Sequence, residues 1–423
     1  MDLHDLARQM TAAAFAAVDP ERLAREELAR RGERFSAVLS LGKAGAALGR
    51  GVRAALEPGA RRLLIRPLLS SSLLDPGWEQ KTGGHPLPDR QSLAAGERLE
   101  RWLAEIPARP LLALISGGAS ACVEAPAGDL TLDDLAATQR ALLAAGLPIQ
   151  TVNAVRKHLS RLKGGGALRI AGDRLPSVLL LLLSDVPGDD PAAIASGPFT
   201  ADPTTFAEAL AAVGGLRVPE SVRRHLAAGA QGEIPETLKP GHPSLANVDT
   251  ILLGSAWTAA AAALAAARRR GFHVADGGLE GEAAKAGREL VERGRSLARE
   301  TGDAGAALVL GGETTVTLGE RAGSGGRNQE LALAAARELS GGAGELVFTV
   351  ATDGEDGPTR YAGATVDGGT WEAVRRAGID PDAALAGHDS RRALAAVPGA
   401  LLETGSTGTN VGDLAVYLRA AKA

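Results

Sequence analysis

Acidic side chains gather in a short loop that follows the most hydrophobic segment of the chain. Asp185, Asp189 and Asp190 come directly after the aliphatic run Val178–Leu183. Clustered carboxylates suit Mg²⁺, which proteins usually hold with one or two carboxylates together with substrate phosphates. A carboxylate here could also act as a general base, and aspartates commonly form turns. Three acids within six residues exceed what a turn requires, so the loop is a candidate site.

A second acidic loop lies in the C-terminal half, at residues 352–358. It follows the apolar segment 346–351 and contains Asp353, Glu355 and Asp356. It is a second candidate for a metal site or a base.

Glycine-rich segments form a second class of candidate. Gly42 and Lys43 stand where an apolar segment ends and an alanine-rich helix over 43–56 is expected. Backbone N–H groups and the helix dipole favour an anion at such a point. The segment is not a Walker A loop, because Lys43 is followed by Ala44 and lacks a glycine at the required offset. A tight turn that only lets strand and helix pack is the alternative.

Two further anion-binding loops are predicted, and a turn between strands is expected at a third place. The segment 116–120 offers two hydroxyls and two glycines whose N–H groups can surround an anion, and it lacks the G-x-S-x-G pattern of a nucleophilic serine. The turn 311–316 carries an embedded acid, and the glycine run 323–326 opens a helix over 328–339. The residues concerned are Ser116, Gly117, Gly118, Ser120, Gly312, Glu313, Arg327 and Asn328.

The densest polar segment is 153–166. On one helix, Arg156, Ser160 and Lys163 would share a face, with Asn153 one turn earlier. Such a face, with Lys157 beside it, could hold a carboxylate or phosphates, and a solvated basic helix is the alternative. Lysine is scarce in this chain: seven of the 46 basic residues, against 39 arginines. We therefore give weight to lysines that occur in these segments.

The composition excludes several classes of protein. A net charge of −4 and 3% aromatic residues argue against nucleic-acid binding. The single cysteine, Cys122, excludes an intramolecular disulfide and a cysteine-built zinc site. The longest aliphatic run is far shorter than the roughly 20 residues that span a bilayer. We therefore expect a cytoplasmic protein that binds neither nucleic acid nor membrane.

The elements that must position these residues alternate between strands and helices. Aliphatic segments at 35–41, 111–115, 178–183, 250–253 and 346–351 each lead into a polar, mostly glycine-containing loop. This alternation predicts an α/β fold with mainly parallel sheets flanked by helices, in which ligands bind beyond the carboxyl ends of the strands. A Pro- and Gly-rich stretch at 229–249 marks a boundary between domains 1–240 and 245–423.

Taken together, these motifs resemble the glycerate 2-kinase family, which carries a MOFRL-type C-terminal domain. The resemblance extends from about residue 5 to residue 418. It is carried by G-K-A at 42–44, G-G-H-P-x-P-D at 83–89, S-G-G-A-S at 116–120, N-x-x-R-K-H-L-S-x-x-K-G-G at 153–165, S-D-V-x-G-D-D-x-x-x-I-A-S-G-P at 184–198, G-G-E-T-T-V at 311–316, G-G-R-N-Q-E at 325–330 and A-T-D-G-x-D-G at 351–357.

The resemblance implies an enzyme that uses ATP and Mg²⁺ to phosphorylate the 2-hydroxyl of D-glycerate. It also implies a Rossmann-like N-terminal domain, a MOFRL-type C-terminal domain and an active site in the interdomain cleft. Lys43 and Arg327 match the family's cleft cations, and we assign Asp189 as base or metal ligand. Asp185, Asp190, Asp353 and Asp356 are the further candidate metal ligands. The expected substrate or nucleotide contacts are Ser116, Gly117, Gly118, Ser120, Asn153, Arg156, Lys157, Ser160, Lys163, Gly312, Glu313 and Asn328.

Two other functions stay open at this point, and so does the question whether the chain forms a homodimer. The strand–glycine–helix units could belong to an NAD(P)-dependent hydroxypyruvate reductase, a name that family members have carried. The dinucleotide fingerprint glycines do not match, however, and neither Tyr361 nor Tyr417 has a lysine four residues later. A nucleotide sensor without catalytic activity is the third hypothesis.

Overall fold

The structure is a computed structural model that describes residues 2–68, 70, 75–319 and 322–421. The chain forms two compact units. The first unit is Pro20–Leu253, and the second unit is built from the residues on either side of it. The break near residue 253 lies beyond the expected boundary at 240–245. The first helix, α1 (Leu3–Ala17), belongs to the second unit, where it packs beside a helix that begins at Ala256. A linear boundary drawn from composition cannot detect such an exchange.

The first unit contains a six-stranded sheet in the order β3-β2-β1-β4-β5-β6. The pairs β3–β2, β2–β1, β1–β4 and β4–β5 are parallel, as the sequence predicts. Strands β4 and β5 are buried along their whole length, which explains their unbroken aliphatic sequences. The strands are β1 (Phe35–Leu41), β2 (Leu56–Pro67), β3 (Glu79–Gly83), β4 (Leu111–Ser116), β5 (Val178–Leu183) and β6 (Val248–Gly254).

Helices cover this sheet and also form a smaller packed cluster of their own. One core joins the sheet to residues such as Trp102 and Leu168, and a second core around Phe206 joins four helices to one another. The helices are α2 (Pro20–Arg31), α3 (Gly45–Gly51), α4 (Arg90–Glu105), α5 (Ala119–Cys122), α6 (Leu132–Ala144), α7 (Ile149–His158), α8 (Gly166–Ala171), α9 (Phe206–Ala212) and α10 (Glu220–Ala230), with 3₁₀ turns at Arg53–Ala55, Gly172–Arg174, Ile194–Ser196 and Pro243–Asn247.

The second unit contains a mixed sheet in the order β11-β10-β9-β12-β8-β7. The pair β7–β8 is parallel, while β8–β12, β12–β9, β9–β10 and β10–β11 are antiparallel. The prediction of a mainly parallel sheet is therefore wrong for this unit. A strand that is buried on both faces reads as an aliphatic run in either direction, so the sequence did not reveal the reversal. The strands are β7 (His273–Leu279), β8 (Ala306–Gly312), β9 (Glu345–Ala351), β10 (Gly363–Asp367), β11 (Leu401–Leu402) and β12 (Asp413–Arg419).

Close helix packing completes the second unit. A Cβ atom on Gly287 would lie 2.3 Å from the carbonyl oxygen of Leu331, so the two long helices that carry these residues approach backbone to backbone. No helix in the described part of the chain is long and apolar enough to cross a membrane. The helices are α11 (Ala256–Arg269), α12 (Ala283–Glu300), α13 (Arg327–Leu339), α14 (Thr370–Arg376), α15 (Pro381–Ala386) and α16 (Ser390–Ala395).

Candidate active site

The loops after β1 and β4 are joined by hydrogen bonds. The backbone N–H of Lys43 donates to the carbonyl of Gly117 at 2.9 Å, and that of Ala44 donates to Ser116 Oγ at 3.0 Å. Gly42 has φ +103°, and a Cβ atom there would lie 2.4 Å from the carbonyl oxygen of Ser116. Only glycine fits this position, so the backbone that carries Lys43 is held against the 116–118 loop. The Ser116 hydroxyl also donates to the carbonyl of Leu41 at 3.2 Å, so it helps to hold this junction together.

The Lys43 side chain lies over Gly118, beside a residue to which the sequence analysis assigned no role. A Cβ atom on Gly118 would lie 3.0 Å from Lys43 Cγ and 3.5 Å from His85 Cδ2. His85 follows β3, and its loop is fixed because the Gly84 N–H donates to Asp89 Oδ1 at 3.0 Å. The G-G-H-P motif after a strand was the available signal for His85.

The predicted stripe along 153–163 does not lie on one helix. Helix α7 ends at His158, and Ser160 forms an antiparallel bridge with Pro126. The N–H of Arg161 donates to the carbonyl of Ala125 at 2.8 Å, which draws the chain out of the helix. The expectation of a continuous face with Arg156, Ser160 and Lys163 is therefore wrong.

The polar residues of this segment meet protein partners instead. Ser160 Oγ donates to Glu124 Oε1 at 2.6 Å, and Lys163 Nζ donates to the other oxygen of Glu124. Burial lowers the pKa of Lys163, and the negative charge of Glu124 opposes that shift. The Lys157 ammonium lies 3.2 Å from Asp202, and both side chains are buried.

Arg156 connects this cluster to the loop after β4. Its Nη2 atom donates to the carbonyl of Ser120 at 3.1 Å, and burial lowers its pKa. Asn153 lies one turn earlier on α7 and is half-buried. Of the residues in this segment that were predicted to contact substrate, Arg156 and Asn153 are the two for which no bond to Glu124 or Asp202 is found.

The 184–198 loop is held in an unusual backbone conformation. Four described non-glycine residues have positive φ, and three of them are here: Asp189 (+54°), Ala195 (+54°) and Ser196 (+58°). Such conformations cost about 1–3 kcal/mol each and cluster at functional sites. The hydroxyls of Ser196 and Ser120 lie 2.9 Å apart, so this loop also meets the loop after β4.

The three acids of this loop are not equivalent. Asp190 is exposed and accepts the N–H of Ala192 at 2.9 Å, which is the turn-forming role considered above. Asp185 and Asp189 are half-buried. Asp189 therefore combines partial burial with a strained backbone, and the loop offers carboxylate oxygens at the carboxyl end of β5.

Arg327 is the first residue of α13 in the second unit. Its Nη2 atom lies 2.9 Å from Asp413 Oδ1, and its Nη1 atom lies 3.0 Å from Glu313. Burial by itself would lower the pKa of Arg327, but attraction to Asp413 and Glu313 outweighs it and raises the pKa. Asp413 is not among the residues expected from the sequence, because its only signal is a charge at the start of an aliphatic strand.

Asp356 caps the N-terminus of α13. Its two carboxylate oxygens accept the N–H groups of Asn328 at 3.0 Å and Gln329 at 2.8 Å. Burial raises its pKa to about 6, against the effect of these hydrogen bonds and with a contribution from the charge of Asp413. Both oxygens accept N–H groups, so Asp356 acts here as a helix cap, and its expected role as a metal ligand stays a prediction. Asn328 likewise helps to form the cap.

The remaining predicted residues of the second unit lie where β8 and β9 end and β12 begins. Asp353 is half-buried and accepts the N–H of Glu355 at 3.1 Å. Gly312 ends β8 and pairs with Asp413, so Glu313 and Asp353 follow strands that flank the start of β12. Within the described residues, no group of three or more His, Cys, Asp and Glu side chains is arranged to hold a metal ion.

Comparison with known proteins gives full-length matches. Residues 6–227 match the family described as "Domain of unknown function (DUF4147)", and residues 306–413 match the MOFRL family. A protein of Pyrococcus horikoshii named glycerate 2-kinase is 36% identical, with coverage of 100% of this chain and 98% of that protein. An Agrobacterium vitis protein with the provisional name hydroxypyruvate reductase is 39% identical over 97% of this chain and 93% of its own.

The fold comparison agrees with the sequence comparison. The crystal structure of a glycerate kinase from Thermotoga maritima superposes with a TM-score of 0.85 at 34% identity, and the match covers 99% of each chain. It has the two-domain α/β fold that the sequence predicts. On this evidence the chain belongs to the glycerate 2-kinase family, whose N-terminal part is the DUF4147 domain and whose C-terminal part is the MOFRL domain.

Proposed function

We infer that this chain is a D-glycerate 2-kinase, which transfers the γ-phosphoryl group of ATP to the 2-hydroxyl of D-glycerate. The products are ADP and 2-phosphoglycerate. One observation carries the inference: the full-length similarity to glycerate 2-kinases includes the strand-end loops that hold Lys43 and Arg327. These loops supply the fixed cations and backbone N–H groups that phosphoryl transfer requires.

Charge neutralisation is the main task of the protein in this reaction. Negative charge spreads over the oxygens of the transferred group, and fixed cations stabilise it without reorganisation. We assign this role to Lys43 and Arg327. Gly117, Gly118 and Ser120 belong to the loop beside Lys43, and Arg156, bound to the Ser120 carbonyl, is our candidate for the substrate carboxylate.

The acceptor hydroxyl must lose a proton as its oxygen attacks phosphorus. We assign Asp189 as the base that accepts this proton, because it is a half-buried carboxylate in the loop after β5, at a residue with the unusual φ of +54°. Mg²⁺ would neutralise charge on the ATP phosphates. Asp185 and Asp190 fit it, since Mg²⁺ needs only one or two protein carboxylates. Asp353, half-buried in the loop after β9, is a further candidate for the same purpose, and we leave out Asp356 because its oxygens cap α13.

Lys157, Ser160 and Lys163 receive a structural role in this proposal. Each contacts a buried protein carboxylate, Asp202 or Glu124. Removing one cation would leave a buried charge without its counter-ion, at a cost of about 3–5 kcal/mol. We therefore expect these residues to support the walls of the site and not to contact substrate.

The test is ADP formation in the presence of Mg²⁺ and D-glycerate. We expect ADP to appear only when both ATP and D-glycerate are present, and the Lys43→Ala protein to serve as the inactive control. Absence of ADP in the wild type would overturn the proposal. NADH or NADPH oxidation with hydroxypyruvate would support the reductase, and ATP binding without turnover would support the sensor.

A further inference from the structure

Arg327 is held on one side by a carboxylate that water does not reach. Asp413 binds two of its nitrogens, with Nε to Oδ2 at 2.5 Å and Nη2 to Oδ1 at 2.9 Å. Its side chain is 0% exposed, whereas Glu313, the partner of Nη1, is 42% exposed. The guanidinium is thus fixed from inside the protein by Asp413, whereas the carboxylate that contacts its Nη1 atom is partly exposed.

Asp413 occupies a rigid position. It is the first residue of β12, and the strand pairing places it opposite Gly312 of β8 and Ala351 of β9. A strand between two others cannot move without breaking both sets of hydrogen bonds. A carboxylate anchored there therefore fixes its partner with the precision of the sheet.

The location of Arg327 makes such an anchor necessary. It is the first residue of α13, where the partial positive charge of the helix dipole repels a cation. Without an internal counter-ion, the long side chain would turn towards solvent. A buried carboxylate is also expensive unless it is paired, so Asp413 and Arg327 depend on each other.

We propose that Asp413 is a positioning residue for phosphoryl transfer: it fixes the Arg327 guanidinium through Nε and Nη2, so that Nη1 exchanges the carboxylate of Glu313 for the anionic group of the substrate. The proposal rests on the function inferred above, since it assigns a task to Arg327 in that reaction. Asp413 itself does not touch the substrate.

The first test compares two bidentate pairs of the same sheet. Asp413→Asn keeps the shape and removes the charge. The control is Glu345→Gln. Glu345 binds Arg295 through hydrogen bonds of 2.9 and 2.8 Å. It begins β9, at the end of the strands opposite to Asp413. We expect both variants to melt at lower temperatures. Only Asp413→Asn should lower kcat, by about a hundredfold, with little change in KM. Equal kcat losses in the two folded variants would overturn the proposal.

The second test remains informative even if Asp413→Asn folds poorly. In Arg327→Ala, free guanidinium at millimolar concentration can bind beside Asp413 and replace the lost group. We expect it to raise kcat by about tenfold or more in Arg327→Ala and to have no effect in the double variant with Asp413→Asn. Rescue of both proteins, or of neither, would contradict the anchor.

A third measurement separates this proposal from the proposed function. The Nε–H proton of Arg327, assigned by NMR from its loss in Arg327→Lys, should exchange slowly with water in the wild type and rapidly in Asp413→Asn. This readout needs no turnover, so it tests the anchor even if the wild type does not phosphorylate glycerate. Equal exchange in the two proteins would refute the anchor and leave the kinase assignment intact.

Discussion

The ionisation of Asp356 should affect stability and activity in opposite directions: protonation below about pH 6 should stabilise the second unit and lower kcat. Its pKa is raised from 3.8 to about 6, mainly by burial. A carboxyl group with a higher pKa in the folded state binds protons more tightly there, so this group stabilises the fold as the pH falls through 6 towards 3.8. Ionised Asp356 therefore destabilises the fold at neutral pH, by about 3 kcal/mol at most.

The perturbation is Asp356→Asn, which removes this titration. Between about pH 7.5 and pH 5, the wild type should gain about 1.4 kcal/mol relative to the variant. For a unit of this size that corresponds to about 3–6 °C in Tm. The assay is thermal unfolding of both proteins at several pH values, in which contributions from other groups cancel. A Tm difference that stays constant, or that shifts in favour of the variant on acidification, would show that burial does not raise the pKa of Asp356.

Activity should move in the opposite direction. Protonated Asp356 no longer offers two anionic oxygens to the N–H groups of Asn328 and Gln329, and the start of α13 carries Arg327. We expect kcat of the wild type to fall as the pH drops through about 6. The variant should be slow throughout and should lack this limb of the pH profile.

Three substitutions in the first unit test its assigned roles. Lys43→Ala should lower kcat by about a hundredfold or more with little change in Tm, and a large loss of Tm would instead indicate a structural role. Lys157→Ala should cost about 3–5 kcal/mol of stability, because buried Asp202 loses its counter-ion. The kcat per folded molecule should not change. A selective rise in the KM for D-glycerate would instead show that Lys157 contacts the substrate. Gly42→Ala should lower both stability and kcat, since its Cβ would clash at 2.4 Å. The control Gly32→Ala, at φ +71° with nothing within 4 Å, should affect stability alone, and equal loss of kcat in the two glycine variants would contradict the clash argument.

Arg327→Ala should reduce stability as well as activity. Because Asp413 is fully buried against Arg327, we expect destabilisation of about 3–5 kcal/mol in addition to the loss of activity. The guanidinium-rescue experiment separates these two effects.

Much of the fold was accessible from the sequence because aliphatic runs end in glycine-containing loops. Strands β1, β4 and β5 lie where those runs predict them, and their parallel pairing is confirmed. Strand direction in the second unit was not accessible, because burial on both faces removes the alternation that marks an antiparallel strand. The transfer of α1 to the second unit depends on contacts with α11, far away in the sequence.

The residues of the candidate site also fall into two groups, those that the sequence pointed to and those that it did not. Lys43 and Arg327 could be selected because their residue types and glycine-rich neighbours point to anion binding. Asp413 could not, because its partner Arg327 lies 86 residues away and its local sequence is an ordinary strand. Asp356 was assigned to metal from its acidic neighbours, whereas its fully buried position makes it a helix cap. Local pattern can nominate residues for a candidate site, but it does not reveal contacts with residues that lie far away in the sequence.

The position of the phosphate in the product decides whether this chain is a D-glycerate 2-kinase. Purified protein would be incubated with ATP, Mg²⁺ and D-glycerate, and the product would be examined by phosphorus–proton correlation NMR. We expect phosphorus to couple to the single proton on C2, as in 2-phosphoglycerate. Coupling to the two protons on C3, or the absence of any phosphorylated glycerate, would contradict it.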